Sequence, residues 1–381
     1  MLDDLDFTPP LRFDEEYASP AVIKVIGVGG AGGNAINRMI EAKIKGVEFI
    51  VANTDAQALM RSRALQKLQI GSKITEGLGA GGNPEIGRLA AEEDRDALKK
   101  ALEGSDMVFI TAGMGGGTGT GGCPVVAEIV HEIGAMSVAV VTKPFKFERK
   151  KRNIQAEQGV SELKELVDTI MIIPNDRLLT VVNEGTTFDD ALRLADDVLM
   201  QAVKGISEVV TLPGLINVDF ADVKAIMSEK GGSAIMGLGC ANGEGRATRA
   251  VQQAIRSPLL DGVNMKGARG ILLNISGGKD ITKDEIEEIT SEIENIADEE
   301  ANLIFGVVIK DGVDEISVTV IATGFPEEEM IFEESISKIE NYEKVSDVHP
   351  DVKIQRHNKR EEKNILVIPT FLRKEKGLNI E

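Results

Sequence analysis

In the first half of the chain, short apolar runs rich in β-branched residues alternate with longer stretches whose apolar positions recur at helical spacing. Ala21 to Val28 is one such run and ends in glycines, as a buried parallel strand does when it feeds a tight turn. A helix is expected from about Asn34. Further runs at Val47 to Ala52, Met107 to Thr111, Ser137 to Thr142 and Thr169 to Ile173 alternate with segments that suit helices, among them Glu85 to Leu102 and Val125 to Ile133. This order predicts an open, mostly parallel α/β sheet covered by helices on both faces. Phe188, Leu192, Ala195, Leu199, Ala202, Val203 and Ile206 then share one helical face, so a long central helix is predicted over 188–210.

From Val218 to Gly324 the pattern shifts to helix followed by strand-like runs, Gly270 to Ile275, Asn302 to Ile309 and Glu315 to Ala322, which predicts a second, smaller α/β domain. The expected organisation is an arm over 1–20, a Rossmann-like domain over 21–187, the central helix, a second domain over 211–325, a disordered charged linker over 326–363 and an apolar terminal peptide over 364–381.

With 42% hydrophobic residues among 381, the chain can bury a core for two domains, and its formal charge of -19 opposes general nucleic-acid binding. Met1 to Pro20 lacks the basic and apolar regions of a leader, and Cys123 and Cys240 stand far apart, so a reducing, cytoplasmic compartment is expected. His131, His349 and His357 have no metal-ligand spacing, and no complete protein-only metal site is expected.

The candidate chemistry lies in two glycine-rich segments. Gly27, Gly29 and Gly32 satisfy the GxGxxG pattern of dinucleotide-binding folds, and Asp55, about twenty residues on, suits the ribose-binding acid of a nicotinamide enzyme. The second segment, Gly113 to Gly122, follows a predicted strand and carries Thr118 and Thr120 between glycines. Its amides can converge on an anion, the threonine hydroxyls can add donors, and the helix that follows contributes its positive end. It lacks the Gly-Lys-Ser/Thr ending of a Walker A loop, and a nicotinamide enzyme needs no second phosphate loop of this size.

Gly115 to Gly121 resembles the GGGTGTG signature of the tubulin and FtsZ superfamily. Gly27 to Ala35, Asn53 to Leu59, Gly79 to Gly87, Thr142 to Gly159, Ile173 to Leu179, Pro213 to Met227 and Ile368 to Arg373 resemble the FtsZ branch, in the same order. The resemblance implies a self-assembling GTPase that binds GTP or GDP with Mg²⁺. It assigns phosphate contacts to Gly29, Gly30, Ala31, Gly32, Gly33, Ala80, Gly81, Gly82, Asn83, Gly113, Met114, Gly115, Gly116, Gly117, Thr118, Gly119 and Thr120. Ribose and base contacts fall to Asn34, Thr142, Glu148, Arg152, Asn175, Leu192 and either Asp196 or Asp197. An Asp and an Asn are chemically suited to guanine, which offers N–H donors and an oxygen acceptor on one edge. Two departures stand out: Arg149 where many members have glycine, and Leu192 where many have a base-stacking Phe.

The catalytic candidates are Asn217, Asp219 and Asp222, because carboxylates can orient the attacking water of phosphoryl transfer. The resemblance implies that they complete the site of the next subunit in a head-to-tail filament, a contact that propagates without closing. Ile368, Pro369, Phe371, Leu372 and Arg373 resemble the peptide that docks FtsZ proteins onto membrane tethers and regulators such as the actin-like FtsA. Direct membrane insertion is not expected from so short a segment. The implied role is scaffolding of the division ring at mid-cell; a nicotinamide oxidoreductase and a tubulin-like paralogue with another cellular role are the competing readings.

Overall fold

The structure, a computed structural model, describes residues 21–179, 186–212, 214–228, 232–260 and 265–325, without the side chain of Phe188. These lie in the first of two compact units, Met1–Met330. The expected arm over 1–20, Pro213, the linker, His349, His357 and the terminal peptide with Ile368, Pro369, Phe371, Leu372 and Arg373 lie outside the described residues.

Six parallel strands form the first half of the sheet: β1 (Ile23–Val28), β2 (Val47–Asn53), β3 (Gln66–Gln69), β4 (Met107–Gly113), β5 (Met136–Lys143) and β6 (Thr169–Pro174). Their order is β3-β2-β1-β4-β5-β6, which reverses direction between β1 and β4. In such sheets ligands bind beyond the carboxyl ends of the strands at that reversal. The runs are continuously apolar because both faces are covered. Ile23 and Val25 enter one buried cluster with α1 (Gly29–Glu41) and α9 (Phe188–Thr211). Ile26 and Val28 enter another with α5 (Arg95–Leu102), α6 (Thr118–Glu132) and α7 (Lys150–Leu166), as the two-residue period of a strand requires.

Helices α1 and α6 begin earlier than their apolar periodicity indicates, at Gly29 and Thr118. Glycine disfavours helix in isolation, but close packing overrides that preference here. A Cβ on Gly121, for example, would lie 1.8 Å from the carbonyl oxygen of Pro84, the first residue of α4 (Pro84–Glu93). The expected single helix over 85–102 is two, because the chain breaks at Asp94, whose carboxylate accepts the Gly71 amide at 2.7 Å. Short helices α2 (Ala56–Arg61), α3 (Ser72–Thr75) and α8 (Asn175–Leu178) occupy connections between strands and helices.

The central helix α9 buries Ala195, Leu199, Ala202, Val203 and Ile206 as its pattern predicts, whereas Leu192 is 37% exposed. Beyond α10 (Phe220–Met227) comes β7 (Gly232–Asn242), followed by α11 (Arg246–Ile255), β8 (Gly270–Gly277), α12 (Lys283–Ile296), β9 (Asn302–Ile309) and β10 (Glu315–Thr323). Strand β7 pairs in parallel with β6 at Gly232 to Ala234, then antiparallel with β10 from Ile235 to Asn242. It thereby joins both halves into one ten-stranded sheet. A third buried cluster, from α11, α12 and β8 to β10, forms the core of the smaller half.

Candidate nucleotide site

The structure brings both glycine-rich segments together at the reversal between β1 and β4. Gly29 has φ +75°, and a Cβ there would lie 2.9 Å from the Gly119 amide nitrogen, so only glycine fits both its backbone and its neighbour. A Cβ on Gly113 would meet Ala31 at 2.7 Å, and one on Gly117 would meet Ala80 at 2.8 Å and the Asn83 nitrogen at 2.9 Å. Three separate loops therefore touch. Gly30, Gly81, Gly82 and Gly116 have open space where a Cβ would project, which leaves their backbone approachable. The first amides of α6 also open here, since the earliest bond back from this helix to the loop is Gly121 N–H to Gly117 at 3.0 Å.

Side chains within the loops do more holding than reaching. The Thr120 hydroxyl is buried and accepts the Gly115 amide at 2.9 Å, so it braces the loop at a residue with φ +94°. Thr118 shares a 2.6 Å hydrogen bond with the Thr54 hydroxyl. Met114 is buried among apolar residues, so only its backbone faces the loop. Asn83 caps α4 by accepting the Glu85 amide at 3.1 Å, and Gln155 donates to Gly82 at 3.2 Å. Asp55 caps α2 through the Gln57 and Ala58 amides, which accounts for this carboxylate without a ribose.

The base-side candidates surround the ends of β5 and β6. Thr142 aligns with Gly113 and its carbonyl accepts the Met114 amide at 2.9 Å. Glu148, just before α7, pairs with Arg152 in the first turn of that helix and accepts the Phe145 amide at 3.0 Å. Asn175 is 5% exposed, and its side-chain oxygen has no partner among the described residues. Such a buried acceptor is suited to take a donor from beyond the described residues.

Arg38 distinguishes the two neighbouring acids on α9: its Nε lies 3.8 Å from Asp197, while Asp196 makes no ion pair among the described residues. Burial pushes the Asp196 carboxyl up to about 7; the Arg38 cation opposes this and the Asp197 charge reinforces it. Asn34 and Leu192 are exposed.

Asn217, Asp219 and Asp222 are exposed and lie elsewhere. Their loop is pinned to β9, with Leu215 N–H donating to Val307 at 2.9 Å and Val307 N–H to Ile216 at 3.1 Å. Asn217 accepts the Gly214 amide at 2.7 Å, while Asp219 stands at the N-cap of α10 without making a capping bond. The preceding end of α9 packs at Gly46, where a Cβ would lie 2.4 Å from Thr211. Gly46 directly precedes β2, so this end of the helix marks the amino ends of the strands, opposite the glycine loops.

A family model for the GTPase domain of the Tubulin/FtsZ family matches residues 22–183, and one for the C-terminal domain of the FtsZ family matches residues 232–326. An FtsZ dimer from M. jannaschii shares 46% identity over 81% of this chain and 90% of that one, with a TM-score of 0.77. The chain belongs to the FtsZ family. It is a GTPase of the tubulin-like class, and the nicotinamide oxidoreductase reading falls. The FtsZ fold is shared at 20% identity with CetZ1 from Haloferax volcanii, a GDP-bound monomer, over 84% of this chain and 99% of that one, TM-score 0.71. CetZ2 from the same organism, a GTPgS-bound protofilament, matches at 20% identity, with the same coverages and a TM-score of 0.67.

For this FtsZ-family chain, sequence reasoning missed Thr54 and Gln155, which contact the phosphate-loop candidates. Thr54 lies in a stretch already matched to the family, but nothing in its spacing distinguishes a buried hydroxyl from a packing residue.

Proposed function

We propose that this FtsZ-family GTPase assembles head-to-tail into filaments and hydrolyses GTP where two subunits meet. The glycine loops receive the phosphates, Asn175 and Asp196 read guanine, and Glu148 and Arg152 border the ribose. Asn217, Asp219 and Asp222 act on the nucleotide of the adjacent subunit.

The observation that carries this reading is the length of α9. Asp196 precedes Thr211 by fifteen residues on one helix, which corresponds to about 22 Å of axial rise. One subunit's acids therefore cannot approach the phosphates above its own sheet, yet their exposed end can cap the nucleotide face of a second subunit. Assembly then orients water against the γ-phosphate, and the reaction is the transfer of that phosphoryl group to water. The M. jannaschii relative is a dimer and the CetZ2 relative a protofilament, which supports self-association.

No group of three or more His, Cys, Asp or Glu residues able to hold a metal ion occurs among the described residues. Among the described residues, side chains alone do not form a Mg²⁺ site, so the ion would be held together with the nucleotide's phosphate oxygens. The cellular reading is a cytoplasmic scaffold of the division ring, recruited through Ile368 to Arg373 by tethers such as FtsA. The 46% identity to an FtsZ, against 20% to the CetZ proteins, favours it over a paralogue's role. The test of the chemistry is Asp222→Ala, which should keep GTP binding and lose hydrolysis; unchanged turnover would remove Asp222 from the mechanism.

A further inference from the structure

We infer that Thr54 is a positioning residue, whose buried hydroxyl donates to Thr118 and thereby turns the Thr118 proton toward the nucleotide phosphates. The inference rests on the reading that Gly113 to Thr120 cradles phosphate. Thr54 immediately follows β2, and Thr118 is the first residue of α6, so their 2.6 Å bond links two loops that are 64 residues apart in sequence. The backbone at Thr54 is also held, because the Thr75 hydroxyl lies 3.3 Å from the Thr54 carbonyl and 2.9 Å from that of Gly71.

Proton bookkeeping sets the direction of the bond. Each hydroxyl has one proton and two acceptor lone pairs. Thr54 is 0% exposed, and its hydroxyl has no partner except Thr118 among the described residues. If Thr118 donated, the Thr54 proton would be buried without an acceptor, an arrangement folded proteins avoid. If Thr54 donates, both protons are usable: its own fills the shared bond, and that of Thr118, which is 9% exposed at the mouth of α6, is free for an anion. A phosphate oxygen is such an acceptor, and donation to it from Thr118 also polarises the Thr54–Thr118 bond. Thr54 thus acts on the nucleotide without touching it.

The experiment is a double-mutant cycle on GTP affinity in the full chain, with Thr54→Val, Thr118→Val and the pair, and with Thr54→Ser as rescue. Valine keeps the shape and removes the hydroxyl. Each single change should weaken GTP about 10- to 100-fold, the loss typical of a hydrogen bond to a charged group. The double variant should be no weaker than the worse single one, because both remove the same contact. Thr54→Ser should bind within about twofold of the parent. Should Thr54→Val not fold, Thr54→Ala enters the same cycle. Losses that add in the double variant, full affinity in Thr54→Val, or failure of serine to rescue would each overturn the inference while leaving the phosphate cradle intact. Full affinity in Thr118→Val would instead remove the phosphate role of Thr118 on which it rests.

Discussion

Replacing Arg149 with glycine should stabilise the protein. Arg149 has φ 81° and ψ 151°, between the short turn Lys146–Glu148 and the first residue of α7. Of the other two non-glycine residues with positive φ, Glu76 at φ 51° and ψ 25° occupies the left-handed helical well that side chains tolerate. Arg149 lies in a region that is otherwise essentially glycine's, at a cost of order 1–3 kcal/mol. It is held there because its carbonyl accepts the Arg152 amide at 3.1 Å and the Asn153 side chain at 3.3 Å at the start of α7. Glycine removes the strain but adds about 0.5–1 kcal/mol of unfolded-chain entropy. The net gain is about 0.5–2 kcal/mol, or roughly 1–3 °C in Tm for a body of this size. The assay is thermal and urea unfolding of Arg149→Gly beside Arg149→Ala, which removes the exposed guanidinium but retains the Cβ and hence the strain. Stabilisation by glycine and not by alanine is the expected result. Equal behaviour of the two variants would refute the reasoning, because the backbone would then not be the cause.

Three further predictions concern the site and its frame. Because burial holds the Asp196 carboxyl near 7 and guanine's N–H groups need the carboxylate, affinity for guanosine, which has no phosphate to titrate, should fall about fivefold from pH 7 to pH 6; a flat profile would contradict the assignment. The same group should make the nucleotide-free protein more stable as pH falls from about 7 toward 4, since the folded state retains a proton that the unfolded state releases, and urea titration across that range checks the sign. Gly121→Ala places a methyl 1.8 Å from the Pro84 oxygen, forcing α4 off α6, and should destabilise by about 1–3 kcal/mol or more in the same unfolding assay.

Legibility in the sequence followed burial. Strands β1, β4, β5 and β6 could be read because both faces are covered, leaving unbroken apolar runs. Strand β7 could not, because Gly237 and Gly239 interrupt its pattern: Cβ atoms there would lie 2.2 and 1.9 Å from α11 carbonyls, a demand that only the assembled fold reveals. The edge strand β3, Gln-Lys-Leu-Gln, carries almost no apolar signal. At the site, the glycine segments and family motifs named the loops, but spacing could not choose between Asp196 and Asp197. The contact that separates them comes from Arg38 on α1, remote in sequence. The bracing of Gly115 by Thr120 was not legible either, because the motif shows a hydroxyl but not which backbone amide the folded loop turns toward it.

The most direct test of the account measures phosphate release from GTP as a function of protein concentration, with ATP as the control and light scattering recorded alongside. If the acids of one subunit serve the next, activity per subunit should be near zero at low concentration, rise as subunits associate, and appear together with scattering for GTP alone. Guanine-specific activity that stays constant per subunit down to concentrations without association would contradict the shared site.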